Sequence, residues 1–494
     1  MRFILILSLV YLYPSTPHVS SIKFTGNSID KNTLLLVIKH KKPSLFSRSE
    51  LNSKLLSIDA MLIESYYKSI GFIDAQVEAE VVDIDGVNIS INFLINEGER
   101  YSLNDISFNN NKYFSESLLN KLMREDIANY YEPPLISRNI DNLYLLYQRN
   151  GMIYSSILPK ETINDGTVDL ELEFIEGKVY SIANINIDTK SKEKYVLREL
   201  EFKSGDIYNI DNINLSRKQI YSTRLFSSIE INHSINKIDS QAVDITIKTK
   251  DLKPILRELN FGISQLSTAK NDIIKPAFSS ELEWKNNNIL SSSYQLGLKT
   301  DISLNYYQDA KDDIFLRMYY NIDFKGKWIW RYRVPFRLMY YREYISDIVS
   351  IDRSGFRTDF TIFNNKNINS VLVFTQESSD QDESESAKKN NSMEVIFDYN
   401  NVDDYLNPSR GLNVRANPSM HGIVIGGDYN YIKFLSDIRY YFPVSTTTTL
   451  ATRFQYGAII AFSNVFSSSG HESVPPSYDL FYIGGQPTLR GWDS

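Results

Sequence analysis

The chain has no cysteine, so no disulfide staples it, no thiolate serves as nucleophile or cluster ligand, and no lipid-modified cysteine anchors its start. Histidine is scarce as well. The five, His18, His40, His233, His421 and His471, are scattered and none stands in H-E-x-x-H spacing, so no metal site and no cofactor is expected. Also missing are a G-x-S-x-G elbow, a G-x-x-x-x-G-K-[ST] phosphate loop and a convincing carboxylate pair. A lipase, an ATPase or a glycosidase would lack its minimal parts, and no enzyme is expected. With a net charge of −7 and no basic aromatic stripe, nucleic acid is not an expected partner.

Long apolar runs are absent too. Met1-Arg2 followed by Phe3 to Tyr13 has the charge-then-apolar order of a secretory signal but is too short for a spanning helix. Residues 1–20 are read as that signal, with Ser15, Ser20 and Ser21 as small residues near a cleavage point; a buried first strand is the plainer alternative. After it, nothing approaches the roughly 18 to 20 apolar residues of a transmembrane helix, so membrane insertion would have to use strands. What the chain does have is aromatic residues, 33 Tyr and 26 Phe, which suit sheets with one apolar face or membrane-interface girdles.

Self-comparison shows a period of about 80 residues, the size of a small domain. Glu97-Gly98-x-x-Tyr101 recurs as Glu176-Gly177-x-x-Tyr180, and Tyr67-x-x-x-Gly71-Phe72 recurs as Tyr147-x-x-x-Gly151-Met152. Each glycine of the second motif follows an apolar periodic stretch, Leu51 to Ile70 and Ile140 to Asn150, where it can end a helix. Alternating segments flank these helices, giving the order strand, helix, helix, strand, strand. A third unit follows, with helices over Lys194 to Glu201 and Asp211 to Arg224 and with Leu225-Phe226 where the glycine stood. These units resemble POTRA (polypeptide-transport-associated) domains, assigned to 21–98, 99–178 and 179–252. The resemblance implies a sheet edge able to add an extended client strand, though a plain spacer role fits equally well.

From Pro254 on, helical periodicity gives way to alternation. Trp328, Trp330 and Tyr332 oppose Lys327, Arg331 and Arg333, and Ile432, Phe434, Ile438, Tyr440 and Phe442 oppose Lys433, Asp437 and Arg439. Segments such as Tyr429 to Phe442 and Thr449 to Phe462 exceed ordinary soluble strands and reach the nine or so residues of a tilted membrane strand. Residues 253–494 are therefore read as an outer-membrane β-barrel. Glu377 to Ser392, acidic and apolar-poor, is read as a long solvated loop, and Pro443 to Thr448 as a short turn. Starting inside and reaching an outside loop at Ser463 demands an odd strand count, and about 209 residues at roughly 19 per strand gives about eleven.

Two motifs punctuate this region. Asp398, Pro408, Arg410 and Gly411 resemble the Asp-x-x-x-Asn-x-x-x-Pro-x-x-Gly turn of the bacterial surface antigen barrel, with Asp398 about two residues further from Pro408 than that pattern. Gly484, Gly485, Leu489, Arg490, Gly491 and Trp492 would alone be a surface loop, but they resemble the same family's loop ending Arg-Gly-Phe. Together with the repeats, these identify the chain as resembling the BamA/TamA family: tandem β-α-α-β-β POTRA domains of α+β class, then an antiparallel transmembrane β-barrel that is incomplete in this chain.

The resemblance implies an outer-membrane protein assembly factor with periplasmic POTRA domains. Its partners would be unfolded outer-membrane proteins, the lipid bilayer and accessory periplasmic or lipoprotein subunits. The first barrel strand, around Leu256 to Ser264, would be a lateral gate. Arg490 would sit in the lumen against an acidic residue beyond Ser494. A two-partner secretion transporter is the alternative, with a barrel enzyme or porin behind it.

Overall fold

The structure, a computed structural model, describes residues 18–41, 51–84, 88–127, 129–268, 271–306, 314–346, 351–381, 387–445, 448–462 and 475–481. The signal assigned to residues 1–20 lies outside these up to residue 17.

The first repeat is built from β1 (His18–Thr25), α1 (Lys31–Val37), α2 (Ser53–Ser69), β2 (Gln76–Asp83) and β3 (Asn88–Asn96). Its sheet runs β1-β3-β2, with β1 parallel and β2 antiparallel to the central β3. The two helices start where short polar side chains can take free N–H groups: Asp30 accepts from Asn32, and Asn52 from Lys54 and Leu55. Ile63 and Tyr67, four apart on α2, are fully buried together with Ile91 and Phe93 of β3. The sheet therefore has one face under helices and β2 as an outer edge.

The second repeat copies this with β4 (Ser102–Asn109), α3 (Glu116–Met123), α4 (Pro133–Arg149), β5 (Ser156–Asn164) and β6 (Thr167–Ile175), in the order β4-β6-β5. Ser115 caps α3 and Pro133 opens α4, where its missing N–H costs nothing. The third has β7 (Ser181–Asp188), α5 (Lys194–Leu197), α6 (Ile210–Ser222), β8 (Phe226–Ile235) and β9 (Ala242–Asp251), ordered β7-β9-β8. Here α5 is a single turn, shorter than the Lys194 to Glu201 expected.

The recurrent motifs have a shared structural meaning. Tyr101 N–H donates to the Gly71 carbonyl at 2.8 Å, Tyr180 N–H to the Gly151 carbonyl at 2.9 Å, and Leu252 N–H to the Leu225 carbonyl at 2.8 Å. The residue that ends each second helix is thus tied to the segment leaving its own repeat. Gly151 is needed for this. Its φ is +84°, and a Cβ there would stand 2.8 Å from Ile207 Cγ2 and 2.9 Å from Val179 Cγ1.

The remaining strands are β10 (Ile255–Thr268), β11 (Asn271–Ile289), β12 (Tyr294–Tyr306), β13 (Ile314–Gly326), β14 (Phe336–Ser346), β15 (Ile351–Asn364), β16 (Ile368–Gln381), β17 (Lys388–Asn400), β18 (Gly411–His421), β19 (Tyr431–Pro443) and β20 (Thr449–Ala461). Among the described residues they form one antiparallel sheet of eleven strands in sequence order. The count is the odd number expected, and the sheet is consistent with an incomplete β-barrel. Contacts divide the chain into two compact units. One holds the first two repeats with Leu200–Ser216 and Ile231–Ile247; the other holds Ile187–Glu199, Arg217–Glu230 and everything from Lys248 on.

Two expectations need correction. Lys327 to Arg333 is not a strand but the connection between β13 and β14, closed by mutual hydrogen bonds of Ile329 and Tyr332, with Trp330 at φ +55°. Its alternation is coincidental, because Lys327, Trp328 and Arg333 are held by Glu199 from outside the sheet. Glu377 to Ser392 is not all loop either: Glu377 to Gln381 belong to β16 and Lys388 to Ser392 to β17. Glu377, Ser379 and Asn390 are buried on the inward face, so their polarity reflects that face rather than solvation.

Candidate functional site

The eleven-stranded sheet is polar on one face and apolar on the other. On β10, Leu259, Phe261 and Ile263 are exposed on one side while Glu258 and Asn260 alternate to the other. Exposed Phe356, Phe454 and Ile460 continue the apolar side. The opposite side carries ion pairs that bridge strands: Glu343, only 2% exposed, receives Arg317 at 2.7 Å and Arg353 at 2.5 Å. A sheet in water would bury the aromatics and show the charges. This one does the reverse, as a wall between lipid and a wet interior requires.

On the polar side a cavity of ≈ 320 Å³ is lined by Tyr341, Arg353, Glu377, Asn390, His421, Lys433, Tyr478 and Asp479 among others. Residues 475–481 form part of its wall. A single turn of 3₁₀-helix, Ser477–Asp479, presents Asp479 to β17 and β19: the carboxylate accepts from Tyr431 Oη at 2.5 Å, Lys433 Nζ at 3.2 Å and Asn390 Nδ2 at 3.2 Å. Lys433 Nζ also donates to the Asp479 carbonyl at 2.7 Å. Arg353 lies 5.4 Å from the Tyr478 ring centroid, and Lys433 5.1 Å from that of Phe481. Gly457 on β20 permits the last contact, because a Cβ there would stand 2.9 Å from Phe481 Cζ. Sequence reading passed over Asp479, Tyr431 and Gly457. The signal available was a lone carboxylate inside an otherwise aromatic run, Tyr478 to Tyr482.

Gly484, Gly485, Leu489, Arg490, Gly491 and Trp492 lie outside the described residues. The second motif is placed in full. Asp398 sits in β17 and pairs with Arg415 of β18 at 2.7 Å, away from the turn. The turn itself is organised by Asp403, which accepts from the N–H groups of Asp404, Ser409 and Arg410 and from the Ser409 hydroxyl, and by Asn401, which accepts from Leu412 N–H at 2.7 Å. These donors hold the Asp403 carboxyl well below its usual range, the Ser409 hydroxyl foremost. Pro408, Arg410 and Gly411 belong to the same turn, and Gly411 opens β18.

Among the described residues each repeat's sheet has two terminal strands, β1 and β2, β4 and β5, and β7 and β8; β2, β5 and β8 are the ones placed after the second helix, with β2 and β5 antiparallel to their central strands. In the eleven-stranded sheet β10 has β11 as its one partner among the described residues. Among the described residues no cluster of His, Asp and Glu could hold a metal ion, and no helix is long and apolar enough to cross a membrane, which says nothing of crossing by strands.

The Omp85 superfamily domain model matches residues 277–494, and the POTRA model, described as a surface antigen variable number repeat, matches residues 17–98. These matches support a BamA/TamA-family protein. Relatives of this family include the outer membrane protein assembly factor BamA of Buchnera aphidicola, 22% identical over 62% of this chain and 52% of the relative. The BamA of Nitratidesulfovibrio vulgaris is 21% identical over 98% and 60%, and that of Neorickettsia risticii 23% over 96% and 63%. The chain thus spans between about half and two thirds of the length of these BamA relatives. The crystal structure of BamA from Haemophilus ducreyi lacking POTRA domains 1-3 superposes with a TM-score of 0.55 at 15% identity, covering 80% of this chain and 76% of that one. That likeness shows a shared fold.

Proposed function

We propose that the protein is an outer-membrane protein assembly factor. It is seated in the outer membrane with its POTRA domains in the periplasm, receives unfolded outer-membrane proteins on those domains, and promotes their folding and insertion. The observation that carries this is one chain joining sheets with unpaired outer strands to a long-stranded sheet whose exposed face is apolar and whose ion pairs face inward. The relatives named as BamA support it.

Catalysis in this reading lowers an insertion barrier and makes no covalent bond, so no enzyme chemistry and no cofactor is needed. The outer side of β10 offers backbone N–H and C=O groups to a client strand, and the apolar face beside it lets the pair remain in lipid. Residues 475–481 dock on the polar wall, and for the motif from Gly484 through Arg490 to Trp492, outside the described residues, we infer a latch role from the family resemblance. Accessory periplasmic or lipoprotein subunits complete the machine.

Depleting the protein and measuring the outer-membrane proteome tests the proposal. General loss of β-barrel proteins is expected. Loss of one secreted protein alone would point to a dedicated transporter, and loss of neither would sink the assembly role.

A further inference from the structure

We propose that, of the equivalent β2 and β5 edges of the first two repeats, only β2 accepts an added strand, that Tyr144 and Pro159 close β5, and that the occupant is an extended segment bearing lysine or arginine at alternate positions. This rests on the assembly reading and says where on the chain a client is held.

Which backbone groups point outward decides whether an edge can pair. In the second repeat Asn164 pairs with Thr167 across the two-residue turn Asp165-Gly166, so these two exchange hydrogen bonds. Alternation along an antiparallel pair then points the N–H and C=O groups of Ile157, Pro159, Glu161 and Ile163 away from β6. Ile157 confirms the parity, since both its outward groups are already taken. Its N–H donates to Tyr144 Oη at 3.0 Å, and Tyr144 Oη donates to its carbonyl at 2.9 Å. Pro159 has no N–H to offer. Two of the four outward positions can donate nothing to an incoming strand.

The first repeat has the same geometry without the seal. Ile84 N–H donates to the Asn88 carbonyl at 3.0 Å, which places Val77, Ala79, Val81 and Asp83 outward. Where the second repeat has Pro159 the first has Ala79, and at the place of Tyr144 it has Glu64, whose carboxylate is engaged by Lys68 at 2.5 Å. Among the described residues no hydrogen bond takes the N–H or C=O of Val77, Ala79 or Val81.

Charge selects the occupant. Glu78 and Glu80 are exposed along β2 and have no cation within ion-pair distance among the described residues. On β5 the corresponding residues are Leu158 and Lys160, and Lys160 already pairs with Glu171 at 3.1 Å. A strand added to β2 would bring its alternate side chains opposite the two glutamates, where cations are favoured and carboxylates repelled.

The absence of native cysteine makes the test direct. Val82→Cys and Thr162→Cys, at matching exposed positions, are made separately in the full chain in lipid nanodiscs and offered an unstructured peptide of alternating lysine and valine with one central cysteine. Disulfide yield is expected to be about tenfold higher at the first site than at the second. An alternating glutamate–valine peptide should lose most of that yield. Pro159→Val combined with Tyr144→Phe should raise the yield at Thr162→Cys toward that of the first repeat. Equal yields in the unaltered edges, no gain on opening the second, or peptide-independent crosslinks between two copies through Val82→Cys would overturn the proposal. Fluorescence anisotropy of the labelled peptide, read in parallel, separates the failures. Binding without these crosslinks removes the present inference alone, whereas no binding removes it together with client reception.

Discussion

The Tyr147 hydroxyl donates to Glu176 Oε1 at 2.8 Å, and the same oxygen accepts the N–H groups of Lys112 at 2.8 Å and Tyr113 at 3.0 Å. Tyr147 belongs to one recurrent motif and Glu176 to the other, so the two motifs are one buried polar contact seen from its two ends. Burial first, then the neighbouring carboxylate, pushes the Tyr147 phenol well above its ordinary pKa, keeping it a donor. Tyr147→Phe removes one hydrogen bond to a charged group and should cost about 2 kcal/mol. Glu176→Ala strands two backbone donors as well and should cost more. Amide hydrogen exchange at Lys112 and Tyr113 reads the difference: protection should fall modestly in the first variant and collapse in the second.

In the first repeat the equivalent carboxylate, Glu97, is sensitive to acid, although the Tyr67 hydroxyl makes no hydrogen bond to it. Burial pushes the Glu97 carboxyl up, but the hydrogen bonds from Ser28, its N–H at 2.5 Å, outweigh it, and the net shift is below the ordinary value of 4.5. A depressed folded pKa contributes stability that is present above the unfolded value and lost as pH falls through the folded one. Urea midpoints of the full chain and of Glu97→Gln should therefore differ at about pH 6 and converge toward about pH 3. A gap that widens on acidification would refute the assignment.

How much of this was legible in the sequence varies with the reach of the interaction. The repeats could be read because helix and strand periods are local, and the eleven strands because the stretch from Pro254 to Ser463 has the length of about eleven long strands, an odd number. Lys327 to Arg333 misled because its alternation is local while the reason for its conformation, Glu199, is more than a hundred residues away. The Glu377 to Ser392 stretch misled for another reason: the inward face of such a sheet has the composition of a solvated loop, and only strand pairing tells them apart. Asp398 matched a pattern by residue type, whereas Asp403, nearer the turn, has the donors around it.

Docking of the segment 475–481 depends on Asp479, which gathers Tyr431, Lys433 and Asn390. Asp479→Ala should release it without unfolding the strands, since the ladder hydrogen bonds of β17 and β19 do not involve this side chain. A cysteine placed at Leu480 should be labelled by a membrane-impermeant maleimide several times faster in that background. Unchanged labelling would mean that the aromatic contacts of Tyr478 and Phe481 suffice to hold it.

Glu199 offers the sharpest test of the second unit. Its side chain is fully buried and receives Trp328 Nε1 at 2.7 Å and Lys327 Nζ at 3.0 Å, with Arg198 and Arg333 each at 3.7 Å. Burial pulls the Lys327 pKa down while Glu199 pushes it up, and the net shift is downward. Removing the carboxylate leaves three cations with one counter-charge gone, but Lys327 and Arg333 keep partial access to water, so the loss should be about 2 kcal/mol rather than the larger cost of a sealed pair. Glu199→Gln keeps an acceptor for Trp328 and should lose less than Glu199→Ala. Trypsin reports it directly, because Lys327, Arg331 and Arg333 lie in the connection that Glu199 holds. Cleavage there should rise in the order wild type, Gln, Ala, and equal cleavage in all three would show that the connection is held by its own Ile329–Tyr332 bridge.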